Sequence, residues 1–390
     1  MAVHAKPWQS AAAPDGLAVL ANTVVERTGV STVVFRDFNV LPMDRETVLY
    51  RHVVVVEDGE IVEVGRLGGV RVPPDAQVVE GHGRRFLMPG LTDAHVHIDD
   101  RAHEWLPQLL AHGITTVFSV TDALPSRDDG RGLPSPNVYR TGHVTFAGKE
   151  EEGSESSGLA GLCTHGLTPA MLGIHLPEDL RSVAVDWSRS GIWLTSRLVA
   201  FDAVARQWGS PEEFAAELRR RPSRDLTSEM RRAWTVDNPY TALDPALRSR
   251  AAELSDFKHR LIRELKTAAS PVLAGTDTPM PLVAPGASLL DELRALEDAG
   301  FSRYEALAAA TTAPARFIRT FIDPSASFGV IRPGGRADLV MLEGDPLEEL
   351  AVLSRPLGLL VRGEWIPGES LEAWSAAPRR NALDRNPVGG

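Results

Sequence analysis

Between Thr32 and about Met88 the apolar positions fall in short Val-rich runs: Thr32–Phe35, His52–Glu57, Ile61–Val64 and Gln77–Glu80. Asp58-Gly59, Gly68-Gly69 and Pro73-Pro74 separate them, and Asp58-Gly59 between two alternating runs is a hairpin signal. The pattern predicts a small antiparallel sheet. It changes at Pro89-Gly90. Leu91–Ile98 reads as a strand, Ala102–His112 as a helix, Ile114–Val120 as a strand, and Asn137–Phe146 as a third strand after a Pro/Gly/Asp-rich loop. Alternation of this kind predicts an α/β parallel sheet.

Lys149–Gly161 is a Glu/Ser/Gly cluster that reads as a loop, and Met171–Leu176, Val183–Trp187 and Ile192–Val199 are strand or short-helix candidates. A helical stretch follows from Ser210 to about Lys266, with breaks near Pro222 and Pro239. Val272–Asp277 reads as a buried strand, and Leu289–Ala299 as an amphipathic helix stopped by Gly300. Ser302 and Glu305 form a capping-box pattern that opens another helix. After Ile322 the β pattern returns at Phe328–Ile331, Asp338–Leu342 and Leu357–Val361, and the polar tail from Leu371 is expected to fray.

The order is therefore β, then α/β, then β, and neither flanking β segment buries much alone. The expected organisation is an extension at 1–31, a small β-sandwich domain composed of 32–89 and 323–370, an α/β domain at 90–322 and a tail at 371–390. Composition adds exclusions. The chain has 390 residues, 43% of them hydrophobic and 24% charged, a globular balance. Its longest apolar runs fall far short of a membrane helix. The net charge of -11 makes nucleic acid a poor partner. Cys163 is the one cysteine, so an intramolecular disulfide and a Cys-based zinc site are excluded. With no secretory pattern at the N-terminus, the expected location is cytoplasmic.

The chemistry concentrates at Thr92-Asp93-Ala94-His95-Val96-His97. Residues i and i+2 of a strand share a face, so His95 and His97 project together, as two imidazoles suited to a divalent metal such as zinc. Asp93 is on the same face, where a carboxylate can orient an imidazole. The bland alternative is two histidines on a half-buried strand. Leu273-Ala274-Gly275-Thr276-Asp277 places a carboxylate at the C-terminal tip of a strand, where parallel α/β folds build their sites. Asp277 there suits a metal ligand, a general base or a cap on the next turn.

With Pro89-Gly90 ahead of the first motif, these segments resemble the amidohydrolase superfamily, and within it the imidazolonepropionase-like and Xaa-Pro-dipeptidase-like branch. His112–Val117, Ile192–Leu198, Ser288–Gly300, Glu305–Arg316 and Gly334–Val340 resemble further parts of that family. The resemblance implies a (β/α)8 TIM-type barrel beside the β-sandwich formed from both chain ends. It implies one or two divalent ions, most often Zn2+, and hydrolysis of an amide, cyclic amide or dipeptide C–N bond. His95 and His97 would be metal ligands, and Asp277 both ligand and proton shuttle. A small-molecule substrate is implied, with no nucleic acid and no membrane, and homo-oligomers are expected from the resemblance alone.

The centre of the chain departs from the family. Roughly 46 residues separate Thr145 from Ile192, whereas three strands and their crossovers need roughly 55–63. The barrel is therefore expected to be incomplete in its middle strands, where the family places a lysine or glutamate and two histidines. Candidate replacements are His175 in an apolar run and His165 in a Gly-flanked loop, with His143 and Lys149 behind them. Trp187, Trp193, Trp208 and Trp234 read as core more than as a substrate lid, and Cys163 as a bystander. Two alternatives stand beside hydrolysis: deamination of a heterocycle with the same parts, and a degenerate member that only binds or scaffolds.

Overall fold

The structure, a computed structural model, describes residues 32–99, 102–121, 135–141, 163, 173–220, 226, 228–236, 238–241 and 244–383. Strands β1 (Thr32–Val40), β2 (Leu49–Glu57), β3 (Glu60–Arg66), β4 (Gln77–Glu80) and β5 (Phe86–Pro89) come first. Then come β6 (Leu91–Val96), β7 (Ile114–Ser119), β8 (Asn137–Arg140), β9 (Leu194–Thr195) and β10 (Val272–Leu273), and last β11 (Leu339–Leu342), β12 (Gly358–Val361) and β13 (Glu364–Pro367).

The flanking strands share one sheet in the order β13-β12-β11-β5-β1-β2-β3, with β4 also on β1. Four strand steps at about 4.8 Å would separate β13 from β1 by about 19 Å in a flat sheet. Yet the rings of Phe35 on β1 and Trp365 on β13 meet at 5.4 Å. The sheet therefore folds over a core of Val33, Phe35, Val54, Leu339 and Leu360. Asp58-Gly59 and Arg362-Gly363 each have both residues at positive φ, as a two-residue type I′ hairpin requires. The two turns abut, so that a Cβ on Gly59 would lie 3.2 Å from the Gly363 nitrogen.

The α/β part builds on buried parallel strands. β6-β7-β8 form one sheet and β9-β10 another, and β6 and β7 are buried at every position, as strands covered on both faces are. The residues after β10 join the two sheets: Ala94 N–H donates to the Ala274 carbonyl (2.9 Å), Asp277 N–H to the His95 carbonyl (3.0 Å) and His97 N–H to the Thr278 carbonyl (2.8 Å). The result is a mixed α/β arrangement whose described strands make open sheets, not a closed eight-stranded barrel.

Several expectations need correction. Ile192–Val199 is not one strand: only Leu194–Thr195 is extended, and Leu198–Gln207 is helical. Val183–Trp187 takes the helical one of its two expected forms, inside the helix Leu180–Arg189, whose Asp179 side chain accepts the Ser182 N–H. Phe328–Ile331 makes no ladder, although Ile331 is buried in the sheet's core. The tail from Leu371 does not begin as a frayed end, because a helix runs Gly368–Leu383 and buries Leu371. The helical stretch after Ser210 breaks where the prolines predict, into Pro211–Arg220, Ser228–Val236 and Arg248–Thr267. Ser302 and Glu305 form the reciprocal capping box.

Candidate metal centre

The end of β6 and the turn after β10 bring three donors together. His97 Nε2 lies 2.7 Å and His95 Nε2 3.3 Å from the same Asp277 oxygen, Oδ1. Among the described residues these three form a group whose ligand atoms all lie within 4.8 Å of one another. Two imidazoles and a carboxylate are the donor set of many catalytic zinc sites, in which three protein ligands leave a fourth position open. The residues present therefore fit a divalent ion. The His97 side chain is 44% exposed and that of His95 only 2%, so the group opens on the His97 side.

Close packing sets this geometry. A Cβ on Gly275 would fall 2.4 Å from Thr195 Cγ2 and 2.9 Å from His95 Cβ, so only glycine lets the strands approach here. Asp277 has φ +70°, a left-handed conformation uncommon for a side-chain-bearing residue and typical of functional turns.

Asp93 does not orient an imidazole ring. Its Oδ1 accepts the backbone N–H of His95 (3.2 Å) and of Thr276 (3.0 Å), and its Oδ2 accepts the Thr276 hydroxyl (2.6 Å). It ties the two motif strands together. Full burial, only partly offset by these bonds, pushes its carboxyl up to about 7.

Arg197, singled out by no motif, completes the site. It is 1% exposed with φ +51°. Its Nη1 donates to Asp277 Oδ2 at 3.2 Å, and its Nη2 to the Cys163 carbonyl. Burial, helped by the Arg197 charge, lowers His95 to about 4, so the ring is neutral at pH 7 and free to act as a ligand. Burial raises Asp277, but the cationic and hydrogen-bonding neighbours outweigh it and hold the carboxyl well below the usual range. With His95 neutral, Arg197 is the lasting cation there. The signal for it was a lone cation inside the otherwise uncharged stretch Gly191–Phe201.

The other candidates fall elsewhere. His175 is exposed and does not join the group. His165, His143 and Lys149 lie outside the described residues. Trp187, Trp193, Trp208 and Trp234 are all buried in the core. Cys163 is a buried free thiol.

Residues 245–366 match the model of the Amidohydrolase family. The resemblance to amidohydrolases is borne out. The matched segment contains Asp277, while His95 and His97 lie ahead of it. Over 109 residues the chain is 30% identical to an adenine deaminase of Ruegeria sp. (strain TM1040), a match covering 27% of this chain and 18% of that protein. Over 123 residues it is 28% identical to a dihydroorotase of Geobacter metallireducens, covering 27% of this chain and 28% of that one. The chain thus spans less than a third of the length of these curated relatives.

Among solved structures of amidohydrolase type, a prolidase complexed with N-methylphosphonate-L-proline superposes with a TM-score of 0.59. It is 18% identical, and the match covers 86% of this chain and all of that one. A putative prolidase from Bifidobacterium longum gives 0.57 at 20% identity, over 90% of this chain and 99% of the other. At such identities the likeness speaks for the fold. No helix among the described residues is long and apolar enough to cross a membrane.

Proposed function

We propose that the protein is a metal-dependent amidohydrolase that hydrolyses the C–N bond of a small amide, cyclic amide or dipeptide. The convergence of His95, His97 and Asp277 on one point carries this reading. A divalent ion held by these residues, zinc in the first instance, would supply Lewis acidity and bring the pKa of a water toward about 7. His95 offers a neutral imidazole from the buried side. His97 borders the open side, where substrate approaches. Asp277, kept ionised by the Arg197 guanidinium and by its hydrogen bonds, accepts the proton of the attacking water. As a weak base in that field, it readily passes the proton on to the leaving nitrogen.

In this reading the described strands are the remaining arc of a (β/α)8 barrel spanning 90–322. The sheet from 32–89 and 323–370 is a separate small domain, with an extension at 1–31 and a tail at 371–390. The substrate is a small molecule, neither nucleic acid nor membrane is a partner, copies of the chain associate, and the protein works in the reducing cytoplasm. Deamination of a heterocycle needs the same parts, and the deaminase relatives give it support. The open sheets and the position of His175 favour a second reading, a binding protein without turnover.

Elemental analysis of chelator-free protein tests the proposal. A tightly held zinc or manganese ion, lost in His95→Ala and Asp277→Ala, with turnover in a screen of amides, dipeptides and aminopurines, is the expected result. Absence of bound metal, together with no turnover after metal is added back, would refute it in favour of the binding reading.

A further inference from the structure

We propose that Tyr240 is a substrate-contacting residue of this centre, its phenol O–H donating a hydrogen bond to an acceptor oxygen of the substrate beside Asp277. The inference rests on the metal-dependent reading above and deepens it by assigning a further residue to the site.

Two buried amides carry Tyr240 to its place. Gln207 ends the helix Leu198–Gln207 and is fully buried, and Asn238 is buried as well. Gln207 Nε2 donates to the Pro281 carbonyl at 3.2 Å, and its Oε1 accepts from Asn238 Nδ2 at 2.8 Å. Asn238 Oδ1 in turn accepts the Tyr240 N–H at 2.9 Å. The Tyr240 carbonyl accepts the Gly209 N–H at 3.0 Å, and the Trp208 ring lies 5.9 Å from the phenol ring. A buried amide is costly unless its ends are paired. Here both amides spend theirs on tying the turn at 238–241 to Pro281, which follows Asp277 closely in the chain.

This strap leaves the phenol oxygen unspent. Among the described residues, the hydrogen bonds of Tyr240 run through its backbone alone. The other two partly buried tyrosines use their hydroxyls within the protein: Tyr139 accepts from Arg336 Nη1, and Tyr304 donates to the Met43 carbonyl. Arg197, the other donor beside Asp277, is already engaged with Asp277 and the Cys163 carbonyl. Tyr240 is close enough to Asp277 to feel its charge. Burial first, and that charge second, push the phenol up to about 12. The hydroxyl therefore keeps its proton at neutral pH and acts as a donor, so it suits an oxygen acceptor on the substrate.

The test is carbon NMR of the full chain labelled with [ζ-13C]tyrosine, in which each tyrosine gives one signal. Tyr240→Phe keeps the ring on Trp208 and assigns the Tyr240 signal by its loss. Metal-free protein is loaded with Co2+ or with Zn2+, and methylphosphonate, a tetrahedral oxyanion, is the probe. Bound Co2+ is expected to shift the Tyr240 signal far more than that of the exposed Tyr50. In Zn2+-loaded protein, methylphosphonate is expected to shift the Tyr240 signal. Tyr240→Phe should bind the probe about 10-fold more weakly with its metal content unchanged, as loss of a hydrogen bond to a charged group requires. A Tyr240 signal that moves no more than that of Tyr50 with Co2+ bound overturns the inference and leaves metal dependence standing. So does equal probe affinity in the two proteins, or bound Zn2+ with no binding of the probe. No bound Co2+ or Zn2+ overturns metal dependence and this inference together.

Discussion

Asp93 grips Thr276 at two points, accepting its backbone N–H at 3.0 Å and its hydroxyl at 2.6 Å. The pair spans 183 residues of sequence and ties the His95 strand to the Asp277 turn. Asp93→Ala leaves three buried donors short of an acceptor, and each such group costs about 1–3 kcal/mol. A loss of about 3 kcal/mol or more in chemical denaturation is expected, with metal affinity falling alongside. Asp93→Asn keeps Oδ1 and can donate to the Thr276 hydroxyl, so it should cost about 1 kcal/mol.

The same carboxyl makes stability depend on pH. Its folded pKa, pushed by burial up to about 7, lies above the 3.8 of an aspartate in water. Between those values the folded state holds a proton that the unfolded state has released, so stability falls as pH rises. The penalty is absent below about pH 4 and complete above about pH 7. Wild-type melting curves from pH 5 to 8 should show this decline, and Asp93→Asn should lack that component. Parallel curves for the two proteins would count against the assignment.

Much of this centre was legible in the sequence. His-x-His on a strand puts two rings on one face by the period of two alone, and Gly-Thr-Asp at a strand end puts a carboxylate at the tip. Arg197 was not legible, because its reach to Asp277 depends on a left-handed residue at the junction between β9 and a helix. That junction is itself set from a distance. Ile192–Val199 has the composition of a strand, but Glu292 lies more than 90 residues away in sequence and caps a helix starting at Leu198. β13 escaped notice because Glu364-Trp365-Ile366-Pro367 is too short and mixed to show alternation. Its pairing with β12 across the Arg362-Gly363 turn makes it a strand.

Glu292 should therefore behave as a remote cap. It is fully buried, and it accepts from the Ser196 hydroxyl as well as from the Leu198 and Val199 N–H groups. Loss of an N-cap costs about 0.5–2 kcal/mol, and stranding further buried donors adds to it. Glu292→Ala should lower stability by about 3 kcal/mol and Glu292→Gln by about 1–2 kcal/mol. Both should also weaken metal binding, because the cap holds the backbone that carries Arg197. Unchanged metal affinity in a folded Glu292→Gln protein would separate the cap from the centre.

The flanking sheet is joined to the α/β strands through Arg336. Its guanidinium donates to Asp338 Oδ2 (2.6 Å), the Tyr139 hydroxyl (2.9 Å) and Thr116 Oγ1 (3.2 Å). Asn137 Nδ2 donates to the same Asp338 oxygen at 3.1 Å. The Asp338 side chain is 3% exposed, so removing its cation leaves a buried charge that, among the described residues, only the Asn137 side chain still holds. Arg336→Met should cost about 2–3 kcal/mol in denaturant melts. Tyr139→Phe, which removes one hydrogen bond, should cost about 1 kcal/mol. A double-mutant cycle between positions 336 and 338 should give a coupling of at least about 1 kcal/mol.

Gly275→Ala separates the site from the fold most sharply. The added methyl would sit 2.4 Å from Thr195 Cγ2 and 2.9 Å from both Cβ and N of His95. No partner here is the loose end of a long side chain, so strands β6 and β9 must shift. The His95 backbone nitrogen is also the group that Asp93 holds, and a shift there moves Nε2 away from Asp277. Metal affinity depends on donor placement within a few tenths of an ångström, and disturbing the support of a ligand typically costs 10–100-fold. Gly275→Ala should therefore weaken Zn2+ or Co2+ binding by at least about 10-fold. The strain of an over-packed core should destabilise the fold by about 1–3 kcal/mol. Thr195→Ala removes the Cγ2 methyl that the new side chain meets first. Combined with Gly275→Ala it should recover part of the metal affinity, whereas recovery of stability alone would show that His95 placement does not govern binding.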